Sequence, residues 1–292
     1  PSMSTPRLRP SAVRWAEMRI AVIGLGIIGG SLCKAFREYT GHYVMGYNRT
    51  AAVAQRALEL GAVHEICTPE ALKTADVIYL CLYPQAAVNF VKQYHDCIRP
   101  GCIVTDAAGI KTAICSQLKA LAEEYGFIFV GSHPMAGKER SGFEVSEASL
   151  FNGASYILVP CGAPRMAVDT LKKLALEIGF TMTPETTPEE HDRMIAFTSQ
   201  LPHVLACAYV MSPQCPNHKG YSAGSYRDVS RVARINETLW SELFLENREP
   251  LTAELDTLIE NLTAIRNQIS GGNQEKLKAL PVSYTHLTLP TN

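Results

Sequence analysis

The sequence is short of the features that mark whole classes of protein. It has no excess of one charge: 27 Lys and Arg stand against 28 Asp and Glu, a formal net charge of −1. That balance argues against an electrostatic nucleic-acid binder, which needs a basic excess on some face. No run of 18 or more apolar residues occurs, so no membrane-spanning helix is expected. The nine cysteines are odd in number and include no CxxC pair. A disulfide framework or a cysteine zinc site is therefore not expected, and a reducing, cytoplasmic setting without metal fits best. The HRD and DFG strings of a kinase are missing as well. What is present is ordinary for a folded chain of 292 residues: 47% hydrophobic and 19% charged. That length suggests about two domains and a substantial core.

The two ends are unlike the middle. Residues 1–17 hold three prolines and three arginines and no acid before Glu17. They read as upstream sequence before a start at Met18, or as the stub of an Arg-rich transit peptide. Residues 281–292 lie in an uncharged stretch without helical period and read as a non-native tail. Both ends are expected to be poorly ordered.

Between them strand and helix patterns alternate. Short apolar runs suited to buried strands occur at 19–23, 43–47, 77–82, 102–105, 127–131, 155–159 and 180–183. Helix-period segments lie at 27–38, 51–60, 86–95, 111–125 and 165–178. Strands apolar on both faces and separated by helices predict an α/β, Rossmann-type, mainly parallel sheet over residues 18–185. Past residue 184 only helical signals remain. Thr187-Pro188-Glu189-Glu190 is a capping box that opens a helix from 188 to about 211. Leu251, Leu255, Leu258, Ile259, Leu262, Ile265 and Ile269 form one stripe over 248–269. An all-helical domain at 186–280 follows. Its stripes are long for its size, so part of that surface is expected to bury against a second copy of the chain in a homodimer.

The first chemical signal is Gly24-Leu25-Gly26-Ile27-Ile28-Gly29, between the first strand and the first helix. A GxGxxG string alone is weak, but this is the context its mechanism needs. Gly24 permits the tight turn, Gly26 lets backbone approach a pyrophosphate, and Gly29 lets helix and strand pack. The helix N-terminus offers N–H groups and partial positive charge to the diphosphate. At the end of the second strand an acid would favour NAD by bonding the ribose 2′-hydroxyl. The sequence has Asn48-Arg49-Thr50 instead: no charge to repel a 2′-phosphate, a guanidinium to pair with it and a hydroxyl to donate to it. NADP is therefore the expected cofactor, with NAD the alternative.

The second signal is His133-Pro134-Met135-Ala136-Gly137-Lys138-Glu139-Arg140-Ser141-Gly142, directly after a predicted strand. Proline holds His133 in an extended backbone. In a parallel sheet the carboxyl ends of the strands face the cofactor crevice, where a histidine can reach a hydroxyl being oxidised. The plainer alternative is a loop histidine bonded to backbone. A third cluster lies in the helical half: His203, Asp228, Arg231 and Trp240. Singly, Trp240 reads as core, Arg231 as a solvated charge, and Asp228 with Arg231 as a local ion pair.

Taken together, the blocks GLGIIGGSL (24–32), TDAAGIK (105–111), HPMAGKERSG (133–142), HD with SQLPH (191–203), and RDVSR with Trp240 resemble the prephenate/arogenate dehydrogenase family over roughly residues 18–270. The resemblance implies NAD(P)-dependent oxidation of a ring carbinol with loss of carbon dioxide, in tyrosine biosynthesis. Prephenate would give 4-hydroxyphenylpyruvate, and arogenate would give tyrosine. It also implies roles. His133 matches the histidine that takes the ring hydroxyl proton, a task that needs neutral imidazole and predicts loss of activity below about pH 6.5. Arg231 matches an arginine binding a substrate carboxylate. His203 matches a histidine near the substrate, Asp228 and Glu139 acids around the entrance, and Trp240 an aromatic wall. Ile27, Ile28, Leu82, Tyr83, Pro84 and Gly109 complete the expected cofactor contacts. In one respect the sequence departs from the family: Gly109 stands where many members carry a serine that orients the histidine. Either a water, Ser132 or Thr112 substitutes for it, or the histidine is held less tightly. Another two-domain 3-hydroxyacid dehydrogenase is the rival reading, but such enzymes usually carry a catalytic lysine on a long helix of the second domain. Here that region has His191 and His203 and no lysine before Lys219.

Overall fold

The computed structural model of the chain describes residues 17–138 and 140–282. The expected disordered leader and non-native tail fall, apart from their innermost residues, outside the described residues, as does Glu139. The chain divides into two compact units. One comprises residues 17–108 with Ile114–Thr186; the other comprises Gly109–Ala113 and residues 187–282.

The first unit is built on a seven-stranded sheet of order β3-β2-β1-β4-β5-β6-β7. The strands are β1 (Arg19–Ile23), β2 (Tyr43–Tyr47), β3 (Glu65–Ile66), β4 (Val77–Leu80), β5 (Ile103–Asp106), β6 (Ile128–Pro134) and β7 (Tyr156–Val159). All neighbours are parallel except β6 and β7. The lack of polar alternation in the strands follows from burial on both faces. In β1, Ile20 and Val22 join one core with residues of α1 (Ile27–Tyr39), α2 (Ala51–Glu59) and α6 (Arg165–Glu177). Ala21 and Ile23 join the opposite core with α3 (Pro69–Leu72), α4 (Pro84–Tyr94) and α5 (Thr112–Tyr125).

Three local readings change. The run at 180–183 is not a strand: Met182 makes only an isolated bridge to Ser155, between Gly179 at φ +106° and Pro184. Proline cannot donate to a ladder, and the left-handed glycine turns the chain away. Strand β3 and helix α3 have too few residues to show a period. His133, expected just past a strand, lies within β6, because Gly131–Pro134 continue as an antiparallel pair with β7 after the parallel ladder to β5 ends at Thr105↔Val130.

The second unit is helical: α7 (Pro188–Ile195), α8 (Leu201–Val210), α9 (Gly224–Ser230), α10 (Glu237–Glu246), α11 (Arg248–Ser270) and α12 (Gln274–Val282). The Thr187 side chain accepts the Glu190 N–H at 3.2 Å, as the capping box requires. The single helix expected over 188–211 is instead interrupted by a π-helical turn at Ala196–Gln200. Pro202 explains it: proline has no N–H to give the carbonyl four residues back, and its ring crowds that carbonyl, so the helix widens before it. The core of this unit is small, with Ala196, Leu201 and Leu251 buried and Val204, Phe244, Leu255 and Leu258 against them. Farther along α11 the stripe emerges: Ile259 is 57% exposed and Ile269 63%.

Candidate active site

At the carboxyl end of β1, Gly24 has φ +96°, and a Cβ there would lie 2.3 Å from the Cys81 carbonyl oxygen. A Cβ on Gly29 would lie 1.9 Å from the Gly24 carbonyl oxygen. Both glycines are therefore demanded by the chain's own packing. Gly26 is different, because a Cβ there would meet no atom within 4 Å. Helix α1 starts at Ile27 and Ile28 with no side-chain cap and no acid in its first turn. Bare N–H groups, the positive end of the helix dipole and a glycine with open space beside it fit an approaching diphosphate.

The next loop braces this turn. The Gly24 N–H donates to the Tyr47 carbonyl at 2.8 Å, and the Leu25 N–H to Asn48 Oδ1 at 3.0 Å. Asn48 Nδ2 donates to the Thr50 carbonyl at 3.3 Å. Asn48 thus shapes the phosphate turn, a role the sequence did not suggest. Arg49 and Thr50 are exposed, and among the described residues Arg49 has no carboxylate partner. On the other side of the turn Leu82 packs against Gly24, Tyr83 precedes α4 half in solvent, and Pro84 is its first residue.

His133 sits half-buried at the carboxyl end of β6, opposite Ile157 of β7. Successive strand residues face opposite ways, so Ser132 points to the other side of the sheet. Its hydroxyl is bonded to the Asp106 carbonyl, to Thr105 Oγ1 at 2.9 Å and to Tyr156 Oη at 2.7 Å. The Ser132 hydroxyl is therefore already bonded on that side and does not take the place of a serine hydroxyl on the imidazole. Thr112 is committed too: its N–H donates to Asp192 Oδ2 at 2.8 Å, and its hydroxyl also bonds that carboxylate.

Gly109 belongs to the short segment Gly109–Ala113 that groups with the helices. Asp192 holds this segment, taking the Lys111 N–H at 2.7 Å as well as that of Thr112. His191 Nδ1 lies 2.7 Å from the same carboxylate, and Asn247 Nδ2 donates to the Asp192 carbonyl and to Gln200 Oε1. Burial pushes the Asp192 carboxyl up, but the bonds from His191, Thr112 and the two backbone N–H groups outweigh it and leave it below the ordinary value. Of this buried group the sequence offered Lys111, His191, Asp192 and Gln200 within its motif blocks and Thr112 as a substitute for the family serine, but it gave Asp192 no task and missed Asn247.

In the helical unit His203 Nδ1 is 2.7 Å from the Val232 carbonyl oxygen. A carbonyl only accepts, so Nδ1 carries the proton and Nε2 of the neutral ring is left as an acceptor. The His203 ring lies against Trp240, with centroids 3.9 Å apart. Val232 follows Arg231 in the turn Arg231–Ala233, so His203 and Trp240 both pack near the backbone that presents the arginine. Asp228 and Arg231 are exposed and, among the described residues, form no ion pair with each other. The local-pair reading therefore fails. Within the first unit, the glycine turn, Asn48-Arg49-Thr50, Leu82-Tyr83-Pro84 and His133 all lie at the carboxyl edge of one sheet.

A diphosphate turn, a histidine on the same sheet edge and a helical second unit with an exposed arginine define a nicotinamide-dependent dehydrogenase. The chain belongs to the prephenate dehydrogenase family: residues 32–183 match its nucleotide-binding domain and residues 187–280 its dimerization domain. It is 31% identical over 269 residues to a cyclohexadienyl dehydrogenase of Zymomonas mobilis, covering 88% of this chain and 90% of the relative. It is 29% identical to a prephenate dehydrogenase of Bacillus subtilis, covering 88% and 72%. Among solved structures, the Synechocystis arogenate dehydrogenase superposes with TM-score 0.80 at 28% identity, covering 91% of this chain and 97% of that one.

Proposed function

We propose that this enzyme oxidises prephenate to 4-hydroxyphenylpyruvate and carbon dioxide, with arogenate the second candidate substrate. The observation that carries the reading is His133 on the sheet edge that bears the diphosphate turn, in a chain whose two units both match this family. Bound nicotinamide supplies the hydride acceptor. His133, neutral, accepts the ring hydroxyl proton as the carbinol carbon is oxidised. Arg231, exposed and without a carboxylate partner among the described residues, presents a planar fork to a substrate carboxylate. His203 and Trp240 hold the turn that carries it. Once the ring ketone exists, loss of carbon dioxide yields an aromatic ring, so the protein needs only to start the hydride step.

Exposed Arg49, which has no carboxylate partner among the described residues, and Thr50 beside it support NADP as the preferred cofactor, with NAD also accepted. The exposed apolar stripe of α11 supports a homodimer formed through the helical unit. All nine cysteines are free thiols, which supports a reducing cytoplasmic setting; no described helix is long and apolar enough to cross a membrane. Absorbance at 340 nm, recorded with prephenate and with arogenate and with each cofactor in turn, tests the reading. Growth of signal with prephenate is the expected result; turnover of neither ring acid would reject it.

A further inference from the structure

The parallel ladder between β5 and β6 ends at Thr105↔Val130, yet β6 runs on to Pro134. Past that point its β5-side N–H groups have no strand to bond, and an unpaired buried N–H is costly. Asp106, the last residue of β5 and 1% exposed, fills the gap. One carboxylate oxygen accepts the Ser132 N–H at 3.1 Å, and the other accepts the Ala108 N–H at 2.9 Å. A single buried acid thus ties the turn leaving β5 to the residue immediately before His133.

The same residue is held a second time through its side chain. The Ser132 hydroxyl meets the Asp106 carbonyl and Thr105 Oγ1 on β5, and Tyr156 Oη on β7. Tyr156 is itself buried, against Phe180 at 5.0 Å between ring centroids. Ser132 is therefore pinned from both neighbouring strands. His133 follows it, paired across to Ile157 and succeeded by a proline that fixes its backbone as extended.

We infer that Asp106, with Ser132 and Tyr156, is the positioning device for His133: the imidazole is aimed by immobilising the strand beneath it. The inference rests on the proposed role of His133 as the base. A misplacement of about 1 Å at a reacting group costs on the order of 100-fold in rate, so the network has a kinetic role distinct from its contribution to the core.

The test combines kinetics with the imidazole signal of His133 in ¹⁵N-histidine-labelled full-length protein, assigned by its disappearance in His133→Asn. In Asp106→Asn one of the two N–H groups faces an amide N–H instead of an oxygen. The inference expects kcat to fall by ~10- to 100-fold, with substrate KM and NAD(P) affinity within about threefold and with the His133 signal moved or broadened. Tyr156→Phe removes only the hydroxyl that reaches Ser132. It should fold, lose ~3- to 10-fold in kcat and move the same signal less. If Asp106→Asn does not fold, Tyr156→Phe decides alone. Unchanged kcat and an unmoved signal in the folded variants would overturn the inference. So would a loss matched by weakened cofactor binding with the signal unmoved. Should the wild type turn over neither ring acid while Asp106→Asn still moves the signal, the positioning stands and the substrate assignment falls.

Discussion

At the scale of single residues, chemistry depends on which polar groups are free and which are already bonded. Asn48 sits where a ribose-binding acid would stand, but its oxygen is bonded to the Leu25 N–H. Its effect on the cofactor is to hold the glycine turn. Arg49 next to it is exposed without a carboxylate partner among the described residues, and the proposed NADP preference assigns its charge to a 2′-phosphate. Arg49→Ala should weaken NADP binding by ~10-fold or more, since a charge-assisted pair is lost, and leave NAD binding nearly unchanged. Titration of cofactor fluorescence with each dinucleotide reads both numbers; equal losses for the two would remove the preference. Glycine positions divide by the same reasoning. Gly24 and Gly29 are fixed by carbonyl oxygens of the chain itself, whereas Gly26 is not, and that difference singles out the residue whose smallness serves a ligand.

At the scale of elements, much was legible and some was not, for identifiable reasons. β1 could be read because Arg19–Ile23 is apolar on both faces, and α7 because Thr187, Pro188 and Glu190 occupy capping positions. The π turn was not read, because the capping box marks only where the helix opens, although Pro202 carried the signal. Asp106 and Asp192 could not be read, since each acts on backbone that strand ends and loops bring to it, 26 residues away for Ser132 and 80 for Thr112. Isolated acids have no period. The cap on β1 was equally silent: His42 Nδ1 accepts the Met18 N–H at 3.2 Å while its Nε2 meets Glu177 of α6 at 3.0 Å. The bond from His42 holds the Glu177 carboxyl below its ordinary value, and Asp192 is held low as described. Groups depressed in the folded state contribute their stability above the unfolded pKa and lose it as pH falls through the folded one. These two carboxylates therefore leave the melting temperature level between pH 8 and 6 and lower it below about pH 4. Asp192→Asn should cost ~2 kcal/mol or more at neutral pH, with the gap to wild type narrowing in acid. A gap that is constant down to the acid limit would contradict this account of Asp192.

At the scale of the molecule, the helical unit has little core of its own. Leu251 is 5% exposed, but Ile259, Leu262, Ile265 and Ile269 on the same helix are 57%, 48%, 37% and 63% exposed. Apolar surface in a continuous stripe is the usual mark of an interface. If the proposed homodimer forms through this stripe, Ile265→Asp should turn it into monomers at micromolar concentration, as sedimentation would show; wild type sedimenting as a monomer would contradict the proposal. The proposed chemistry depends on His133 as the base that takes the ring hydroxyl proton. Steady-state turnover of His133→Asn with prephenate, taken together with its NAD(P) affinity, tests it most directly. A kcat lower by ~100-fold or more with cofactor binding retained is expected; a variant that turns over at close to the wild-type rate would rule His133 out as the base.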